Sequence, residues 1–138
     1  MEDLREICLH SRLADSGRES IWWDYMRNVH SQCFDYITTE CSQNAHASVG
    51  ESFDTTMTCV KQSFQLHESS NYWKVDNVVL ENESKRWTDF GHLYWPSVTI
   101  NSVTFRGDIT PANILEAVCA ALYSKPQVCL DFYTEENI

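Results

Sequence analysis

The 138-residue chain sets 10 Lys and Arg against 20 Asp and Glu, a formal charge of −10. Its basic residues are scattered rather than grouped in a stripe that would neutralise phosphates, which argues against nucleic acid or an anionic membrane surface as a partner. A mass of 16.0 kDa fits one domain able to bury its own core, and no apolar run approaches the length of a membrane span.

"LREICLH", Leu4 to His10, alternates Ile7 and Leu9 with polar neighbours and reads as a short strand. "ADSGRES", Ala14 to Ser20, gathers the small and glycine residues that break an element. In "ESIWWDYMRNVHSQC", Ile21, Trp22, Tyr25, Met26, Val29 and Cys33 recur at spacings of three and four, the apolar face of a helix with Ser20 as its N-cap. Trp22 and Trp23 form an aromatic step on that helix, with Trp22 on the face expected to enter the core. From Cys41 to Gln65 thin apolar marks predict two short helices joined near Gly50, with Cys41 and Cys59 placed to clamp them. A helix is expected from Tyr72 to about Leu80, followed by an exposed connection through Asn82-Glu83-Ser84, the chain's one N-x-S/T sequon and a candidate glycosylation site at Asn82.

"SVTINSVTFRG" is the clearest strand signal. Val98, Ile100, Val103 and Phe105 alternate with Thr and Ser, and Asn101-Ser102 makes the hairpin turn. "TPANILEAVCAAL" then supplies an N-cap at Thr110, a proline at the first helical position and a buried stripe of Ile114, Leu115, Val118, Cys119 and Leu122. Cys129, just beyond that helix, is close enough to be pinned to Cys119. The Arg106-Gly107-Asp108 triplet reads as a turn at the end of the hairpin.

Six cysteines, Cys8, Cys33, Cys41, Cys59, Cys119 and Cys129, form no C-x-x-C pair, so the spacing favours structural disulfides over zinc ligation or thiol redox chemistry. Six cysteines allow 15 pairings. The preferred set is Cys41 with Cys59 and Cys119 with Cys129, which leaves Cys8 with Cys33. Bridges and a sequon imply an oxidising compartment, yet "MEDLREICLH" begins acidic and lacks a signal peptide's basic end and apolar core. The chain is therefore expected to be a piece of a longer exported protein. The five histidines are dispersed, with no H-E-x-x-H, and there is no EF-hand loop, so neither a metal nor a cofactor is expected.

A proline entering a strand, then an antiparallel hairpin and a helix packing back on it, is the pattern of the C-terminal half of a thioredoxin-like α/β fold. In that family the bond before the proline is cis, so the resemblance implies a cis Trp95-Pro96 peptide, which an X-Pro bond adopts at modest cost, and the alternative is a trans proline at the head of an edge strand. Tyr94, Trp95 and Pro96 are the expected contacts for an extended peptide. The helices over about residues 34–80 would be an insertion, as in the disulfide-oxidoreductase branch of that fold, and residues 1–138 would make one domain.

"LREICLHSRLADSGRESIWWDYMRNVHSQC" resembles the central luminal segment of vacuolar sorting receptors, where a cysteine-bearing strand leads through an "N-x-[ST]-G" turn into "WWDY" or "WWDF" and a cysteine. Cys41 and Cys59, the Asp76-Asn77 to Leu80 stretch, "WPSVTINSVTFRG", "ILEAVC" and "VCL" follow in the family's order. Between Cys33 and Cys41 the chain is shorter than the family's usual segment, and its "DFGHLYWP" replaces the family's lead into the strand. The resemblance implies a non-catalytic luminal or extracellular domain of a type I receptor, working in the Golgi, in a prevacuolar compartment or at the cell surface. Its partners would be a soluble cargo protein or peptide and other domains of the same receptor. The alternative is a structural domain of an extracellular or ciliary-surface assembly. A thiol-disulfide oxidoreductase would need an activated thiol and a resolving partner on one turn, and the sequence has neither.

Overall fold

The computed structural model describes residues 1–33, 35–91 and 96–135. Its backbone groups into two compact units, Met1–Glu83 and Ser84–Ile138. The first is helical: α1 (Glu2–Asp15), α2 (Glu19–Gln32), α3 (Thr39–Ser48), α4 (Phe53–Gln62), a 3-10 turn at Tyr72–Lys74 and the start of α5 (Val78–Asp89). The second holds the end of α5, the strands β1 (Thr99–Ile100) and β2 (Val103–Thr104), then α6 (Pro111–Ala121) and α7 (Gln127–Glu135).

The expected strand at Leu4–His10 is part of α1. The alternation there is only seven residues long, and the longer pattern wins: Leu4 and Cys8, then Leu9 and Leu13, fall four apart and are all buried. Glu2 and Asp3 in the first turn sit at the positive end of the helix. α1 feeds two apolar clusters. Leu9 and Leu13 join Tyr25, Val29, Cys33 and Ala45, whereas Leu4 and Cys8 join Val60 and Phe64.

Two glycines end helices in the same way. Gly17 (φ +69°) and Gly50 (φ +73°) take the left-handed conformation that L side chains resist. Beyond them, Arg18 N–H donates to Leu13 C=O (2.8 Å) and Glu51 N–H to His46 C=O (2.9 Å), the six-to-one bond of a Schellman ending. The break before α2 and the joint at Gly50 therefore fall where expected. Ser20 does not cap α2, because Arg18 holds the N-cap position and Ser20 lies within the first turn. The Thr38 and Ser52 side chains cap α3 and α4 by accepting from Cys41 N–H and Thr55 N–H.

Tyr25, Arg5 and His46 all find polar partners inside the helical unit. The buried Tyr25 hydroxyl donates to Glu2 (2.5 Å) and lies 3.1 Å from Ser42 Oγ. Burial and the bond to Glu2 push its pKa up, so it remains a donor. Arg5 Nη1 meets the other oxygen of Glu2 at 2.8 Å, and its Nη2 donates to Thr39 Oγ1 (3.3 Å). His46 is fully buried between Ser42 C=O (2.8 Å) and Thr56 Oγ1 (3.1 Å).

All six cysteines are bridged, as Cys8–Cys59, Cys33–Cys41 and Cys119–Cys129. The pairings Cys41–Cys59 and Cys8–Cys33 are thus corrected. Gly50 already folds α3 and α4 together, and the two helices turn different faces inward. Cys41 packs with the α1–α2 cluster beside Cys33, whereas Cys59 packs with the Leu4–Val60 cluster beside Cys8.

The expected Tyr72–Leu80 helix is also revised. Ser63 and Asn77 join the strands of chain around a loop: Val78 N–H donates to Ser63 C=O (3.0 Å), and Asn77 Nδ2 to Ser63 Oγ (2.7 Å). Asn77 Oδ1 accepts from Leu80 N–H (3.0 Å), so Asn77 starts α5. The sequon lies on that helix, with Asn82 exposed, rather than in a connection.

In the second unit the hairpin forms as expected. Asn101 (φ 48°) and Ser102 (φ 64°) are both left-handed, the pattern of a type I′ turn. Thr110 accepts from Asn113 N–H and Pro111 opens α6, again as expected. Cys129 sits on α7, a helix the sequence reading overlooked, and its bridge to Cys119 ties α7 to α6. Lys125 Nζ adds a bond to Cys119 C=O (2.7 Å) and lies over the Tyr133 ring.

Candidate binding groove beside the hairpin

The I′ turn sets the register Thr99↔Thr104 and Ile100↔Val103. In a two-residue hairpin the pair next to the turn is hydrogen-bonded and the next pair is not. Phe105 N–H donates to Val98 C=O (2.8 Å), which fixes Thr99 and Thr104 as the non-bonded pair. The Thr104 N–H and C=O therefore point away from β1, along an edge of β2 that pairs with no other strand among the described residues. Period-two alternation puts Val98, Ile100, Val103 and Phe105 on one face.

That face does not close against α6. Ala117, Ala120 and Ala121, at helical spacing, offer only methyl groups, and an open cleft of about 480 Å³ lies between them and Ile100, Val103 and Phe105. Val103 keeps 70% of its surface exposed. Asn101 Nδ2 donates to Ala121 C=O (3.3 Å) and anchors the turn to the end of α6. Phe105 is positioned by Gly107: a Cβ there would meet the ring at 2.9 Å, so only glycine lets the ring lie where it does. Asp108 C=O accepts from Thr110 N–H and Asn113 Nδ2, so Arg106-Gly107-Asp108 is the turn into α6. Arg106 stands exposed on the groove's rim.

Of the expected contact residues, Tyr94 and Trp95 lie outside the described residues, and so does the Trp95-Pro96 bond. Pro96 is exposed and leads into β1. The alanine row was missed in the sequence, although "EAVCAAL" signals it as a small-residue stripe inside an otherwise bulky apolar helix. Chemically the groove offers apolar contact, one guanidinium and an open strand edge. All six thiols are consumed in bridges, and among the described residues no three His, Cys, Asp or Glu side chains are grouped to hold a metal.

A family model described as the vacuolar sorting receptor thioredoxin-like domain matches residues 1–119. The chain belongs to that family. Vacuolar-sorting receptor 7 of Arabidopsis thaliana is 28% identical over 143 residues, covering 99% of this chain and 22% of the receptor. Vacuolar-sorting receptor 6 of the same plant is 26% identical over 145 residues, and vacuolar-sorting receptor 1 of Pisum sativum 22% over 146. The chain thus spans about a fifth of the length of these receptors. Within the family's thioredoxin-like class, the described part of this member is mostly helical, with a two-stranded sheet and three disulfides. No described helix is long and apolar enough to cross a membrane.

Proposed function

We propose that the chain is a single non-catalytic domain of a type I vacuolar-sorting-receptor-like protein. It contributes to binding soluble cargo in the lumen of the secretory pathway or at the extracellular face, next to other domains of the same receptor. On this reading the fold is the disulfide-oxidoreductase-like branch of the thioredoxin class, with residues 34–80 as its helical insertion and a glycan at Asn82. The observation that carries the binding role is the unfilled apolar groove beside an edge of β2 left unpaired among the described residues.

An extended cargo segment would add to β2 through Thr104, set an apolar side chain between Val103 and Ala120, and bring a carboxylate to Arg106. Tyr94, Trp95 and Pro96 would supply contacts on the β1 side. The test is calorimetric titration of the chain with blocked extended peptides carrying an apolar residue next to an acidic one. Ala120→Leu, which fills the groove, is expected to weaken binding at least about tenfold, with helix content unchanged. Equal affinity in that variant would reject the groove, and no peptide or cargo binding at all would reject the cargo role.

A further inference from the structure

Trp23 is 64% exposed, unusual for a residue whose large ring normally finds cover. It does not stand alone. Trp22, half-buried, donates Nε1–H to Glu6 C=O (3.2 Å) across to α1 and meets the His10 ring edge-on at 5.1 Å. Its own ring holds that of Trp23 edge-on at 4.7 Å and 75°. The two indoles make a fixed corner on the surface of the helical unit.

Carboxylates border this corner. Glu19 precedes Trp23 by one helical turn, so the two share a face of α2, and Glu6, whose C=O meets Trp22, shares a face of α1 with Asp3 one turn before it. None of these three carboxylates has a cationic partner among the described residues. Glu2 is already committed to Arg5, and Arg27, one turn beyond Trp23, to Asp24. The carboxyl of Glu6 is held above its ordinary value by burial and by the charges of Glu2 and Asp3. Arg5 stacks on Phe53 and Lys125 on Tyr133, and among the described residues no cation is placed over the Trp23 ring.

We infer that the Trp22–Trp23 corner, with Asp3, Glu6 and Glu19, docks an arginine-bearing segment of a partner protein. A guanidinium stacks on an indole face while its N–H groups reach carboxylates, so one side chain satisfies both the exposed ring and the unpartnered charge. A neutral sugar would use the rings but leave the carboxylates repelling one another.

The experiment titrates the 138-residue chain calorimetrically with a blocked tetra-arginine peptide at low salt, with blocked tetra-glutamate and a neutral methyl glycoside as comparisons. Saturable binding of the arginine peptide is expected. It should weaken about tenfold in Trp23→Ala and in the Glu6→Gln/Glu19→Gln pair, and hold unchanged in Glu68→Gln, whose carboxylate meets His67 rather than the corner. Trp23 is exposed, so its variant keeps the fold, and circular dichroism checks this. Three results would overturn the inference: no arginine binding, equal binding by Trp23→Ala, or the same loss in Glu68→Gln as in the paired variant. Binding of the glycoside alone would also overturn it, in favour of a carbohydrate site.

Discussion

Arg18 and Glu51 hold the same position in two different helix endings, and their side chains meet at 2.8 Å. Each is the residue just after a left-handed glycine, so the Schellman turns at Gly17 and Gly50 deliver both to one place. Arg12 reaches the second oxygen of the same carboxylate at 2.5 Å. Glu51 is 5% exposed in its side chain, whereas Arg12 and Arg18 are 31% and 47% exposed.

That asymmetry makes Glu51 the member whose loss matters. Glu51→Ala would leave two guanidinium groups facing each other, and Arg12 already has Nε and Nη2 buried without partners. We expect Glu51→Ala to cost about 1–3 kcal/mol and Arg18→Ala less than about 1, since the arginines are partly screened by water. Urea midpoints at constant slope measure both. Equal costs for the two variants would show that the clamp does not depend on the buried partner.

His46 predicts a pH dependence. Burial is the main cause holding its imidazole below the ordinary 6.5, with the nearby guanidinium groups of Arg12 and Arg5 acting in the same direction. The unfolded chain then binds the proton more readily, so this contribution is present above pH 6.5 and is lost as pH falls toward the lower folded value. Unfolding midpoints from pH 7.5 to 5.5 should decline, and His46→Gln should flatten that slope. Glu6 is raised and works in the opposite sense at lower pH, which is why the window stops at 5.5. A slope unchanged in His46→Gln would assign the effect elsewhere.

Ser102 sits at φ 64°, where a Cβ is disfavoured, in the second position of a I′ turn that prefers glycine after asparagine. Ser102→Gly is expected to stabilise by up to about 1 kcal/mol, and Ser102→Val to destabilise by about 1–2. Thermal unfolding of the two variants should move in opposite directions. A lower midpoint for the glycine variant would contradict the turn assignment.

The bridges should rank by the loops they close. Cys8–Cys59 closes a separation of 51 residues and Cys33–Cys41 one of 8. Chain-entropy arithmetic then gives about 4 kcal/mol for the first and about 2.5 for the second. Paired Cys→Ser variants test the order by denaturant midpoint, and non-reducing peptide mapping tests the pairing itself. Recovery of a Cys41–Cys59 peptide would contradict the helix faces described above.

The sequence by itself determined what depends on neighbours along the chain. Asn101-Ser102 set the hairpin, Thr110-Pro111 the start of α6, and Gly17 and Gly50 the helix ends, because turns and caps are local dihedral and hydrogen-bond choices. The Cys119–Cys129 bridge was legible for the same reason, its partners lying ten residues apart. Family order carried the resemblance to sorting receptors.

Tertiary structure decided the rest. Seven residues from Leu4 to His10 satisfy either period, and what makes α1 a helix is that two apolar clusters, built from α2 and α3 on one side and α4 on the other, cover Leu9 and Leu13, then Leu4 and Cys8. The same packing rotates each helix about its axis and so selects Cys59 for Cys8 and Cys33 for Cys41. The groove is likewise a product of assembly: a row of alanines becomes a cleft only when a turn 20 residues away is anchored against it. Partner choice between distant segments depends on which faces meet, and no local propensity encodes that.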